Sequence, residues 1–350
     1  MIIDVQKSFP GNVTMEMGFS MYDLSRFDEV KKSRDYSEFI KGLEEKTFSS
    51  EFMKLWEEFM KKYGFRAPME LDVASEKPYE NPKMIFDQLK VMAESDDPEA
   101  DPRKVFEKSV QKREQAFKEL NRIAVKIGKA KKFEKAYSVL VSHMYYRESH
   151  KYWIVWAMAI FKNEILKAGR KLVTDGRLDH PNQIFDLKID EIDKVLADKK
   201  IDIHAIRKYN TRYTSRISHI KRFPAIFDSR GRIINPRPPE GDKDLLVGDP
   251  ISPGKVMGKV KVLSSPFEKP LHPGEILVAR STDPGWTPLF VNASAVVLEM
   301  GGMLQHGAMV AREYGKPCVS GIGLASERLK DGMMIEVDGS AGTVRVLKES

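Results

Sequence analysis

Gly301-Gly302-Met303-Leu304-Gln305-His306-Gly307-Ala308-Met309-Val310-Ala311-Arg312-Glu313 is the stretch from which the rest of the chain can be read. Just upstream, Ala295-Val296-Val297-Leu298 is a continuous apolar run of strand length, as a buried β-strand requires. Downstream, Ala308, Val310, Ala311 and Tyr314 recur at helical spacing, and Gly315 and Pro317 stop the pattern. A strand, a glycine turn and a helix are therefore predicted, with His306 at the helix start. Glycines at 301 and 302 leave the approach to the ring uncrowded. A helix N-terminus offers free N–H groups and the positive end of its dipole to an anion. An imidazole that is largely neutral at physiological pH can act as a nucleophile. These properties suit a phosphohistidine. A helix-capping or partly buried histidine suits the same spacing, and the local pattern leaves both open.

Composition narrows the class. The 350 residues suffice for two domains with separate cores, and 41% hydrophobic with 31% charged residues is the balance of a globular protein. The one cysteine, Cys318, excludes a disulfide framework and fits a reducing cytoplasm, the expected location. It lies in an apolar run, so an inert core thiol is expected. No signal-peptide pattern opens the chain. The longest apolar run, 152–161, sits between Lys151 and Lys162, is too short to span a bilayer, and predicts a central, well-buried helix. No membrane partner is expected. The net charge is +7; from Lys243 onward Lys+Arg and Asp+Glu balance at 12 each, so the whole surplus lies upstream. A basic region beside a phosphate carrier would attract phosphohistidine and nucleotide. No nucleic-acid motif accompanies it, and nucleic acid is not an expected partner.

The fold class expected is α + α/β: a mainly helical region, 1–227, a Pro-rich linker, 228–242, and a β/α domain, 243–350. Helical periodicity is clear around 52–59, through 103–134 and 136–173, and at 189–197. At 228–232 the chain reads as a small hairpin, and Asn235-Pro236-Arg237-Pro238-Pro239 as a stiff linker. Beyond it come short strands at 245–248, 256–263, 275–280, 295–298, 318–319, 333–337 and 342–347, with helices at 286–292 and 306–314.

A second constellation is Tyr145-Tyr146-Arg147-Glu148-Ser149-His150-Lys151. Arg147 and Lys151, four apart on a helix, emerge from one face. A guanidinium fork beside an ammonium can neutralise a phosphoryl group in transit, and the lysine can make an acceptor hydroxyl more acidic. Two solvent-facing cations would read the same way. No His, Asp and Glu spacing supports a metal site.

Taken together, these motifs resemble the dikinase-type phosphotransferases, which include pyruvate phosphate dikinase, phosphoenolpyruvate synthase and rifampicin phosphotransferase. The 301–319 run is similar to their swivelling phosphohistidine domain. The segment Thr282-Asp283-Pro284-Gly285-Trp286-Thr287-Pro288-Leu289-Phe290 resembles the rifampicin phosphotransferase branch in particular, as do Phe9-Pro10-Gly11-Asn12-Val13-Thr14-Met15-Glu16-Met17 and 62–72. The resemblance implies His306 as phosphate carrier, with Arg147 and Lys151 meeting the phosphohistidine and the acceptor hydroxyl. It also implies Gly301, Gly302, Gln305, Glu148 and Trp286 as substrate or phosphate contacts. Arg66, Glu70 and Asp72 are expected to order the domain or its pocket, a structural role first. Gln305 stands where many dikinases have Thr or Ser, which removes a regulatory hydroxyl but could bind phosphate or fix the ring tautomer.

The family further implies an ATP-grasp domain that passes the β-phosphate of ATP to the histidine. This chain has no Gly-rich phosphate loop with a suitable lysine and no acidic pair placed to hold Mg²⁺ against a nucleotide. The expectation is therefore no cofactor on this chain alone, with ATP and Mg²⁺ on an ATP-grasp partner in trans. The acceptor would be a small-molecule hydroxyl: rifamycin-like, phenolic or enolic. An incomplete enzyme acting as a binding or regulatory module, or a phosphoenolpyruvate synthase-type component, stays open beside it.

Overall fold

In a computed structural model, residues 4–95, 101–217, 219–220, 227–233, 244–303 and 305–347 are described. The order of elements is helices first, then strands alternating with short helices, the α + α/β class that the sequence implies. The chain forms two compact units: 1–70 with 75–155 and 241–350, and 71–74 with 156–240.

In the first unit, helices Val13–Ser25, Tyr36–Glu44, Ser50–Tyr63 and Lys83–Ala93 enclose an aromatic core. Phe39 lies 4.6 Å from Phe86 and 5.4 Å from Trp56, centroid to centroid, and Phe52 and Phe59 are buried beside them. Asn12 caps the first of these helices by accepting the Thr14 N–H at 3.0 Å. The periodicity expected through 103–134 is broken: one helix runs Pro102–Lys126, Gly128 takes φ +68, and a second runs Ala130–His143. A left-handed glycine just past a helix end is what stops the first helix there.

Eight strands follow: β1 (Leu245–Val247), β2 (Asp249–Ser252), β3 (Lys255–Leu263), β4 (Ile276–Ala279), β5 (Ala295–Leu298), β6 (Cys318–Ser320), β7 (Met334–Asp338) and β8 (Thr343–Val346). They join in the order β1-β8-β7-β3-β4-β5-β6-β2. The inner run β3-β4-β5-β6 is parallel and the outer pairs are antiparallel. Every residue of β4 and β5 is buried, because crossovers cover a parallel sheet on both faces. Helix Thr287–Asn292 links β4 to β5, and helix His306–Glu313 links β5 to β6. The loops leaving the C-terminal ends of β4 and β5 thus share one edge of the sheet, where α/β sheets place ligands.

In the second unit, the later part of the long helix Tyr146–Thr174 packs with helix Ile189–Ala197 and the start of helix Ile203–Ile217. Leu172, Leu178, Ile184, Leu187, Val195 and Ile203 form its core. The hairpin expected at 228–232 is present as a bridge between Phe227 and Ile233, with Gly231 at φ +79; most of the Pro-rich stretch lies outside the described residues.

One expectation is corrected. The 152–161 run is helical but not buried all round: Trp153, Trp156 and Phe161 are 58%, 44% and 66% exposed. Only the stripe Tyr152, Val155 and Ala159 is buried, at the spacing of one helix face. A wholly apolar run cannot show from composition which face packs. Among the described residues no helix is long and apolar enough to cross a membrane.

Candidate phosphohistidine site

His306 opens its helix as the sequence predicts, with Gln305 at the N-cap making no side-chain capping bond. Gly307 follows because a Cβ there would stand 2.2 Å from the Thr282 hydroxyl and 2.9 Å from Leu298. Gly301 lies against Ser320 and the Gln305 amide, whereas Gly302 has open space in front of it. The approach is therefore uncrowded at one of the two glycines.

The His306 side chain is 12% exposed, and its Nδ1 lies 3.4 Å from Glu148 Oε2. Among the described residues neither ring nitrogen makes a protein hydrogen bond, so the approach of Glu148 to Nδ1 is a charge contact and Nε2 has no partner. A carboxylate facing Nδ1 favours the tautomer protonated there and leaves the Nε2 lone pair for chemistry. The carboxylate facing the ring is that of Glu148.

Glu148 is itself held. Arg147 Nη2 donates to Glu148 Oε1 at 3.0 Å. Burial pushes the Glu148 carboxyl up, but His306 first and then Arg147 and Arg66 outweigh it and bring it down to about 2. One turn on, Lys151 Nζ lies 3.2 Å from Glu70 Oε1. Glu70 also accepts from Arg66 Nε at 2.7 Å, with both side chains 1% exposed. Lys77 Nζ donates to the Glu70 carbonyl at 3.3 Å. Three cations thus converge on this one residue.

The expected carrier and the expected basic pair are brought together. His306, Glu148 and Arg147 form one chain of contacts, and Lys151 with Glu70, one helical turn on, a second. Gly11, at φ +84, lies against the Tyr145 ring, so the 9–17 motif abuts the turn before Arg147. His150 is exposed, its Nδ1 3.4 Å from the Tyr146 carbonyl. Trp286 is buried. Asp72 is exposed and stands in the second compact unit.

Two residues on the helix escaped the sequence reading. Arg312 Nε donates to the Ala308 carbonyl at 3.2 Å, and its Nη2 reaches the Met303 carbonyl, bracing the glycine turn. Burial first and then the Arg147 charge lower its pKa. Glu313 lines a recess of about 10 Å³ with Asn12, Thr14, Met15, Glu148 and His306. Its Oε2 accepts the Ser8 N–H at 2.7 Å, and burial pushes its carboxyl up to about 7. Cys318 is buried and its thiol is pushed up to about 12 by burial, an inert group as expected. No cluster of three or more metal-ligating side chains occurs among the described residues.

Residues 2–148 match the family described as rifampicin phosphotransferase fourth domain, and residues 271–342 the PEP-utilising enzyme, mobile domain. The chain is 30% identical to the rifampicin phosphotransferase of Bacillus cereus and 29% identical to that of Bacillus subtilis, in each case over 98% of its own length. It is 30% identical to the rifampicin phosphotransferase of Streptomyces sviceus over 97%. It spans 41%, 41% and 40% of those proteins respectively. The chain is therefore similar to the rifampicin phosphotransferases along nearly its whole length, one part resembling their fourth domain and another a PEP-utilising mobile domain.

Proposed function

We propose that this chain is the phosphohistidine-carrying and delivering part of an ATP-dependent phosphotransferase of the dikinase type. The observation that carries this reading is the contact of His306 Nδ1 with Glu148, between Arg147 and the Glu70-anchored Lys151. In the charging step, Nε2 attacks the β-phosphorus of ATP held with Mg²⁺ in an ATP-grasp domain supplied in trans; a P–N bond forms, the bond to the AMP oxygen breaks, and attack of water on the γ-phosphorus then releases inorganic phosphate and leaves a single phosphoryl group on the ring. The part 243–350 then moves about the stretch 228–242 and meets the basic residues. A small-molecule hydroxyl attacks phosphorus, the P–N bond breaks, the electron pair returns to Nε2, and the hydroxyl proton passes to solvent. Arg147 and Lys151 stabilise the charge on the equatorial oxygens. Gly302, Gln305 and the free N–H groups of the first helical turn favour the phosphate.

The recess beside the ring admits one water-sized group, so the acceptor enters only as the ring withdraws from Glu148 or as a further segment completes the pocket. The phenolic or rifamycin-like class is preferred over an enol on the likeness to rifampicin phosphotransferases.

The test mixes the chain with an ATP-grasp partner and ATP labelled at the β-phosphate. The expected result is an acid-labile, base-stable label that disappears in His306→Ala. Arg147→Ala and Lys151→Ala should keep the label yet slow its transfer to a hydroxyl acceptor by about a hundredfold or more. No label on wild type, from ATP or from a chemical phosphoryl donor, would leave a binding or regulatory module as the reading.

A further inference from the structure

The loop 280–286 leaves β4 at the same sheet edge as His306 and lies against residues 66–70. Asp283 divides its carboxylate between two parts of the chain. Oδ1 accepts the Gly285 N–H at 2.9 Å, a local turn, while Oδ2 accepts the Met69 N–H at 2.9 Å. Met69 has φ +50, a conformation that an L residue adopts at a cost. Gly285 touches the same loop without any side chain. A Cβ there would stand 2.4 Å from the Pro68 nitrogen and 2.5 Å from the Ala67 carbonyl carbon. Those are backbone atoms and cannot step aside. A second close approach joins the same two parts, since a Cβ on Gly18 would stand 1.9 Å from the Tyr314 hydroxyl.

The loop so gripped ends at Glu70, the anchor of Lys151. The geometry points to Asp283 and Gly285 as the seat on which the β/α part docks at the delivery station, so that they govern delivery and not the charging of His306. This inference rests on the relay reading. A charge-assisted hydrogen bond from a strained amide gives the seat its register, and backbone-to-backbone approach gives it a fit that only glycine allows. Seating orders 66–70 and thereby fixes the Glu70 carboxylate that holds Lys151.

Amide hydrogen exchange tests this in the full chain. Met69 should exchange about tenfold faster or more in Asp283→Ala, the change expected when a hydrogen bond to a charged group is lost. Gly285→Ala should do the same, and Gly323→Ala, where a Cβ meets nothing within 4 Å, should not. Amides of β5 should keep their protection in all three variants. Potassium phosphoramidate, which passes its phosphoryl group to an imidazole nitrogen and releases ammonia, should label His306 in every variant at least as fast as in wild type. Unchanged Met69 exchange in Asp283→Ala overturns the inference, whether or not Gly285→Ala folds. So does loss of His306 labelling in Asp283→Ala with β5 protection intact. Wild type that resists labelling at His306 sinks the relay reading instead and leaves the exchange result standing.

Discussion

At the residue scale, the site is a set of charges that fix one another. Glu148 has Arg147 on one oxygen and His306 near the other, so its position follows from both neighbours. Replacing it with Gln keeps the shape and removes the charge that selects the Nδ1–H form. In nitrogen-detected NMR the His306 ring should be mainly Nδ1-protonated in the neutral wild type and a mixture in Glu148→Gln; an unchanged tautomer would remove Glu148 from the orienting role. His306 and the Arg147–Lys151 pair were legible because each lies in a local motif: a glycine turn before a helix, and a four-residue helical spacing. The anchoring role of Glu70 was not. It pairs with Arg66 in a segment that is not helical, and it meets Lys151 across a long stretch of chain. No local periodicity encodes such a contact.

At the element scale, the strands were readable wherever burial is complete on both faces, as in β4 and β5. β2 was missed because Asp249, Pro250 and Ser252 give it no apolar run; it forms an outer strand of the sheet, where proline is tolerated. The short helix Ala325–Arg328 is too brief for periodicity to show. Helix His306–Glu313 is seated through Gly307, close to Thr282 and Leu298. Gly307→Ala should therefore destabilise the protein by about 1–3 kcal/mol, the usual cost of overpacking. The Thr282 hydroxyl is buried with no hydrogen-bond partner among the described residues, so Thr282→Ala removes the clashing atom without leaving one of their bonds unmade. Adding Thr282→Ala to Gly307→Ala should restore most of the loss. Additive destabilisation in thermal unfolding would instead show that the helix is held elsewhere.

At the scale of the whole molecule, two carboxylates in one recess titrate in opposite directions and set how stability depends on pH. Glu148 falls from its ordinary value of 4.5 to about 2, so the stability it contributes is present above 4.5 and lost as pH drops towards 2. Glu313 rises from 4.5 to about 7. In that window the folded chain binds a proton that the unfolded chain releases, so the stability linked to Glu313 is present below 4.5 and is lost as pH climbs through 7. Burial drives this rise, while the Ser8 N–H, Arg312 and Lys7 oppose it. Glu313 bonds to the loop before helix Val13–Ser25, so the loss falls on the contact between the helical part and the β/α part. The Tm of wild type relative to Glu313→Gln should therefore decline from about pH 5 to about pH 8, because the neutral amide has no proton to lose. Parallel Tm curves for the two proteins across that range would mean that Glu313 stays ionised in the folded state and that the Ser8 N–H, Lys7 and Arg312 outweigh its burial.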